Sequence, residues 1–252
     1  MAKWRILLKS LPLALIVLGL RFLIHNVDKK SGILQFSDSS SVLTGAALIM
    51  GLMLSGVIGD YRESEKLPSD VGGGLLGFEL YATRGLQVID KDSAWIHPRL
   101  VPIAHSINDW FYGRKTDAQL WADYDDVNQI VVELSKSGVT IPYLNQVHSA
   151  NNGVAGAIDR ISVIRNTTYI KAGYALMEFL IAVVLGLMVI VDFPEGLAQW
   201  LVPASISVVY VYMFLFIKDL DNPFGYAENH GTGSAADVAL DGWKNAFTSF
   251  TK

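Results

Sequence analysis

Small residues recur at every fourth position of one apolar stretch of this chain. Within residues 42–59, four positions keep this spacing: Ala47, Gly51, Ser55 and Gly59. Residues four apart lie on one side of an α-helix, and a stripe of small side chains lets a second helix approach closely. The stretch therefore predicts a membrane helix with a preferred contact face.

The same broad face carries side chains that could line an ion passage. They comprise a hydroxyl, two branched apolar groups and, past the apolar stretch, two charges: Thr44, Leu48, Ile58, Arg62 and Glu65. In one interpretation the face packs inside a four-helix bundle of its own chain. In the other, several copies surround a central axis, with pore and gate residues Thr44, Leu48, Gly51, Ser55, Ile58 and Arg62. Rings of arginine favour anions, and apolar constrictions gate by dewetting.

Four apolar stretches approach the roughly 20 residues that a membrane crossing needs. They are residues 10–24, 42–59, 172–191 and 197–217. The expected fold class is an all-α membrane protein with four transmembrane helices and a helical cytoplasmic region inserted between spans 2 and 3. The expected domains are spans 1 and 2 in 1–59, the cytoplasmic region in 60–171, spans 3 and 4 in 172–217, and a cytoplasmic C-terminal segment in 218–252.

Periodicity indicates helices in the inserted region. Residues 117–138 place apolar side chains at spacings of three and four and end at a glycine, as an amphipathic helix does. Residues 141–191 hold no proline after Pro142, which is compatible with one unbroken helix into the third span. Residues 68–89 begin with helix-start chemistry, although their glycine triplet disfavours a helix. No stretch alternates as a strand does, and the C-terminus predicts one or two short amphipathic turns.

Lysine and arginine predict the orientation. The residues before the first span include Lys3, Arg5 and Lys9. The membrane-proximal ends of the inserted region carry Arg62, Lys66, Arg160, Arg165 and Lys171. The opposite loops carry only Lys29 and Lys30. The positive-inside rule then places both termini and the inserted region in the cytoplasm, with the chain a multi-pass protein of a bacterial inner membrane. Arg21 stands where a signal peptide would have a small-residue cleavage site, so the first span is expected to be retained.

Two ionisable residues lie within the predicted spans, Arg21 in the first and Glu178 in the third. Such residues need a partner or water inside a bilayer. Their depths differ by about 8 Å at 1.5 Å per residue, which two long side chains could partly bridge. A structural pair or snorkelling is favoured over a role in transport.

No spacing in the chain indicates catalysis or metal binding. Cysteine is absent, and none of the five histidines belongs to a metal-ligand motif such as H-E-x-x-H. "VGGGLLG" has neither the preceding strand nor the lysine of a phosphate-binding loop. We expect no enzyme, no metal and no cofactor. A net charge of −4 without a basic run also predicts no nucleic-acid partner.

The exit of the fourth span resembles a known family. "DLDNPFGYAENHGTGSAADVAL" follows an apolar helix, and bestrophins have an acid-rich segment with a Pro-Phe-Gly element and then an Asp-containing stretch at this place. The matching residues are Asp219, Asp221, Pro223, Phe224 and Gly225, with Asp237 a looser counterpart. The four spans and the helical insertion also resemble bestrophins and their bacterial relatives. We expect Phe224 to be buried at the cytoplasmic end of the bundle, in a structural clasp.

The resemblance implies a homopentamer whose second spans line a central pore. By position, the neck falls at Gly51, Ser55 and Ile58, with Arg62 below. Bestrophin necks are bulkier and more aromatic than "GLMLSGVIG", and their dense acidic calcium clasp is thinned here to Glu228, so we expect no calcium control. The expected function is passive ion conduction, slightly favouring anions such as chloride, with itself, the lipid bilayer and small inorganic ions as partners. The alternatives are a non-conducting scaffold or sensor whose cytoplasmic helices bind a partner, and a secondary transporter, whose inverted repeats are not seen.

Overall fold

The computed structural model describes residues 4–28, 34–166, 171–194, 196–227 and 237–252. The chain divides into two compact units, which we call the membrane unit, residues 1–60 and 168–221, and the insertion unit, residues 61–167 and 222–252. Predictions that concern Lys3, Lys29, Lys30, Glu228 and His230 lie outside the described residues. So does the prediction that a helix runs unbroken through residues 167–170.

The helices follow in chain order as α1 to α9. They are α1 (Arg5–Asp28), α2 (Phe36–Ser64), α3 (Leu67–Gln87), α4 (Ile96–Phe111), α5 (Asp117–Lys136), α6 (Ile141–Asn166), α7 (Lys171–Ile190), α8 (Ala198–Leu220) and α9 (Asp241–Phe250). A 3-10 turn spans Gly225–Ala227. Strands β1 (Leu34–Gln35) and β2 (Val191–Asp192) complete the described elements.

Helices α1, α2, α7 and α8 are long and apolar enough to cross a membrane, and the predicted all-α class with four spans is confirmed. In the membrane unit, α1 packs along α8 and α7. The core side chains include Val17, Met50, Val184, Met188 and Val211. The ends of α7 and α8 lie within three residues of the apolar stretches predicted from hydropathy, whereas α1 and α2 extend four to six residues beyond theirs at each end.

The short parallel strands were not predicted. Leu34 pairs with Val191 and Gln35 with Asp192. Each strand has only two residues, which leaves no alternation in the sequence from which a strand could be inferred. The pair ties the residues before α2 to those after α7.

The insertion unit is a helical bundle around one apolar core. Helix α5 begins with a capping box, in which the Thr116 hydroxyl accepts from the backbone N–H of Gln119 and the Gln119 side chain accepts from that of Thr116. It ends at Lys136, two residues before Gly138, whose φ of +84° favours glycine. The predicted helix is thus confirmed to within two residues at its C-terminal end.

Helix α9 spans 10 residues, which is longer than the one or two turns expected.

The glycine triplet does not break α3 because its glycines admit neighbouring helices. A Cβ on Gly74 would lie 2.5 Å from Val154 Cγ2 of α6, and a Cβ on Gly72 would lie 2.8 Å from Ala246 Cβ of α9. Both distances are far inside van der Waals contact. Close packing of α6 and α9 on α3 therefore offsets the weak helix propensity of glycine.

A partly buried polar cluster joins α4, α5 and α6. The Asp117 carboxylate accepts from Trp110 Nε1 at 2.7 Å, from Asn166 Nδ2 at 3.0 Å and from the Ser162 hydroxyl. Arg165 lies over the Trp110 ring at 4.6 Å and donates to the Trp110 carbonyl at 3.2 Å. Burial pushes the pKa of Asp117 upward, but these hydrogen bonds and the Arg165 charge outweigh burial, and the pKa lies below its ordinary value.

Candidate ion pathway on the second helix

One face of α2 is buried by the membrane unit itself. Its side chains are Leu43, Ala46, Met50, Met53 and Val57, at spacings that alternate between three and four. The Tyr210 hydroxyl of α8 donates to the carbonyl of Leu43 at 2.6 Å and so fixes α2 against α8. This contact determines which side of α2 faces away from the subunit.

The predicted pore and gate residues share that outward side. Four of them are exposed and two are half-buried; in chain order they are Thr44, Leu48, Gly51, Ser55, Ile58 and Arg62. Their spacing runs four, three, four, three, four, and they lie roughly 140° around the helix from the buried face. A repeat of seven residues keeps a seam facing a neighbouring helix. The alternating spacing of four and three is already present in the sequence.

The stripe of small residues is open on the single chain. A Cβ on Gly51 or Gly59 would meet no atom within 4 Å, and Leu48 is 64% exposed. Among the described residues, therefore, none packs closely on the stripe. The described residues therefore give no support to the interpretation in which this face packs inside the bundle of its own chain, and they leave the face accessible to a second helix.

The hydroxyls on this face differ in what they offer an ion. Thr44 Oγ1 donates to the carbonyl of Ser40 at 2.9 Å, so its proton is engaged within the helix. Ser55 lies about three helical turns further on and is exposed. An anion needs donors, so Ser55 and Arg62 are the polar groups on this face best suited to one.

Beside Arg62, an ion pair anchors the end of α2. Glu63 accepts from Arg160 Nε and Nη2, both at 2.8 Å, in the bidentate geometry that favours arginine. The hydrogen bond from Arg160 holds the pKa of Glu63 below its usual value. Sequence reasoning missed this pair because the partners are 97 residues apart. Arg160 neutralises Glu63, while Arg62 stays exposed on the outward face.

The acidic residues of the Pro-Phe-Gly segment have different surroundings. Asp221 accepts from the Tyr174 hydroxyl at 2.7 Å, which joins the end of α8 to the start of α7. Asp219 is half-buried, and within the described residues its Oδ2 has no hydrogen-bond partner. No group of three or more possible metal ligands occurs among the residues that the structure describes.

The Pro-Phe-Gly turn closes a loop in the insertion unit. Pro223 and Gly225 are buried, and the Phe224 ring is 1% exposed in the insertion-unit core. The Val238 N–H donates to the carbonyl of Pro223 at 2.9 Å, and the Tyr226 hydroxyl donates to the carbonyl of Val238. Burial and the charge of Asp237 raise the pKa of Tyr226 to about 12, so its donor proton is retained. Phe224 was expected to be buried against the cytoplasmic end of the bundle; it is buried, and the core that surrounds it is that of the insertion unit.

The two charges within the spans do not form the pair considered above. Arg21 is 8% exposed and donates to the carbonyls of Val191 at 2.7 Å and Met188 at 3.2 Å. Its guanidinium lies 4.9 Å from the Phe193 ring centre. Glu178 is exposed on α7. Arg21 therefore binds one carbonyl in the last turn of α7 and the carbonyl of the first residue of β2, which a local sequence pattern could not indicate.

Loss of these bonds destabilises the membrane unit. Arg21→Met keeps the length and apolar stem but leaves two buried carbonyls without their charged donor, and we expect a cost of about 3 kcal/mol. Unfolding of the purified protein in detergent, followed by circular dichroism, measures it. Arg5→Met on the exposed start of α1 is the matched control and should leave stability unchanged; equal effects of the two variants would contradict the assignment.

Comparison with known proteins identifies similar structures but no similar sequence. No family model matches the chain, and no curated protein matches it. Crystal structures of two variants of a bacterial bestrophin homologue from Klebsiella pneumoniae match with TM-scores of 0.73 and 0.70, at 12% and 14% identity, each covering 98% of this chain and 96% of the other. A further structure of that homologue has a TM-score of 0.66 at 15% identity, over 98% and 97% of the two chains. With the four apolar helices, these likenesses indicate a multi-pass membrane protein.

Proposed function

Since this chain has a bestrophin-like fold, we propose that it assembles into a ring of identical subunits, a pentamer, around a central ion pathway. The outward face of α2 lines the pathway, with Gly51, Ser55 and Ile58 at the neck and Arg62 at its inner mouth. Ions pass down their electrochemical gradient, with a slight preference for anions, and no enzymatic reaction is assigned. The membrane is a bacterial inner membrane, with both termini in the cytoplasm.

One observation carries the proposal. The face of α2 with the seven-residue repeat is open, whereas its opposite face is buried in the subunit's own core. Exposed small residues at this spacing fit a close approach between copies of α2 around an axis. The Arg62 side chain at the end of the repeat is exposed, where a ring of guanidinium groups would attract anions.

The test measures assembly first and conduction second. Mass photometry or native mass spectrometry of the detergent-solubilised protein should give five copies, and a dimer would exclude a central pore. Planar-bilayer recording of the same material should then show single-channel currents. Intact rings with silent bilayers would instead favour the non-conducting scaffold, in which the open face of α2 serves assembly alone.

Arg62 should control ion preference. We expect Arg62→Glu to shift the reversal potential in a tenfold KCl gradient toward that of a cation-preferring pore, because each ring gains carboxylates where it had guanidinium groups. Arg114→Glu, which changes an exposed arginine of the insertion unit outside this face, is the charge-matched control. Equal reversal potentials for wild type and Arg62→Glu would remove Arg62 from the pathway.

A further inference from the structure

A shallow groove runs between α3 and α6 on the surface of the insertion unit. Its volume is about 660 Å³, and nine of its 13 lining residues are glycine, alanine or serine. The groove runs from Leu67 and Ala157 at one end to Tyr81 and Gln146 at the other. Because it is open along its length, its shape suits a helix better than a small molecule.

Three glycines of this groove have no close neighbour among the residues that the structure describes. A Cβ on Gly73, Gly153 or Gly156 would meet no atom within 4 Å. Neighbouring Gly72 and Gly74 differ, because α9 and α6 approach them closely. Alanine would stabilise a helix at each of the three open positions. Glycine there leaves space for an approaching helix, as small-residue contact faces do.

A side chain suited to such a groove lies elsewhere in the insertion unit. On the outer side of α5, Val132 is 50% exposed and lies between exposed Asp125 and Lys136. The three residues share one side of the helix, at spacings of seven and four. A branched apolar side chain is a projection that a floor of glycines can receive.

The unpaired charges of the two surfaces are complementary. The groove is flanked by exposed Asp70 near one end and exposed Arg84 beyond the other, and the α5 face carries exposed Asp125 and Lys136. In the described part of the chain, none of these four residues takes part in an ion pair. The separations are roughly 21 Å along α3 and roughly 16 Å along α5. Long Arg84 and Lys136 side chains can span the difference if the two helices run antiparallel.

We propose that the α3–α6 groove receives α5 of a second copy of this chain, with Lys136 at Asp70 and Asp125 at Arg84. The inference rests on the proposed ring, because groove and α5 face are different patches of one subunit. Such a head-to-tail contact repeats around a closed ring. The contact is a second interface between subunits, in addition to the outward face of α2. Its direction is set by Asp70, Arg84, Asp125 and Lys136.

The absence of native cysteine makes cross-linking a clean test in the full chain. Antiparallel docking brings Val132 near Gly153, so Gly153→Cys/Val132→Cys treated in membranes with a short bis-maleimide should give a ladder on denaturing gels up to the full ring. Each single variant should remain monomeric on the gel. His148→Cys/Val132→Cys is the matched control, since His148 is exposed on a different side of α6, and it should give no ladder.

Charge reversal tests the predicted direction in the same double-cysteine background. Arg84→Asp should lower the cross-linked fraction several-fold, and Arg84→Asp combined with Asp125→Arg should restore it. Rings of normal mass without a ladder would overturn this interface and leave the proposed channel standing. Absence of any ring by mass would overturn the proposed assembly itself. A ladder that does not respond to either charge change would overturn the antiparallel docking.

Discussion

Ile58→Trp is expected to abolish the single-channel current of the proposed ring. Ile58 lies on the outward face of α2, four residues before Arg62, and is half-buried by its own subunit. In the proposed ring, the substitution would place one indole per subunit around the axis at the proposed neck. The added bulk of these indole rings would close the proposed pathway. Planar-bilayer recording of protein whose ring has been verified by mass measures the loss.

The control must add the same bulk without entering the pathway. Leu201 is 57% exposed on α8, and Leu201→Trp should retain the wild-type unitary current. Ser55→Trp, on the same face as Ile58, should act as Ile58→Trp does. If Ile58→Trp conducts normally in intact rings, α2 does not line the pathway. A current lost equally in Leu201→Trp would mean that tryptophan harms the protein generally.

Hydropathy and spacing were sufficient to predict the membrane part of the fold. A helix in a bilayer must satisfy its backbone internally, so apolar length alone identifies α1, α2, α7 and α8. The face of α2 was also predictable, because residues such as Gly51 and Ser55 share a side of any helix at their spacing. Which side the subunit covers was not predictable, since it depends on Tyr210 and the α8 core, far away in the sequence.

The remaining interactions join residues that no local pattern relates. Arg21 binds the carbonyl of Val191, 170 positions away, and Arg160 binds Glu63, 97 positions away. The glycine triplet suggested that α3 would not be a stable helix, but α3 forms. Helix propensity includes the cost of Gly74 and omits the stabilising close approach of Val154. Contacts between residues far apart in the sequence therefore explain both the interactions that could not be predicted and the helix that local propensity disfavoured.

The polar cluster around Asp117 is expected to be a main source of stability in the insertion unit. Asp117 accepts from three side chains on α4 and α6, and its charge acts on the partly buried Arg165, whose pKa is lowered by burial and raised in part by Asp117. Asp117→Ala removes the acceptor of the buried Trp110 indole N–H and a negative charge near Arg165. Leaving the indole N–H without its acceptor costs about 2 kcal/mol, which lowers the unfolding temperature by roughly 6 °C. Asp159→Ala, at an exposed position of α6, should leave the unfolding temperature unchanged.

Low pH should remove the stabilisation that ionised Asp117 gives to the fold of the wild-type protein. The pKa of Asp117 is lower in the folded chain than its ordinary value of 3.8, so the stabilisation is complete above that value and is lost as pH falls through the folded pKa. The gap in unfolding temperature between wild type and Asp117→Ala should therefore be constant from pH 7 to about pH 5 and shrink below about pH 4. Tryptophan fluorescence reports the transition because Trp110 lies in the cluster. Asp123, whose pKa is lowered by Lys115 and Ser106, is present in both proteins, so its titration cancels in the comparison. A gap that persists unchanged at pH 3 would show that the Asp117 charge does not stabilise the fold.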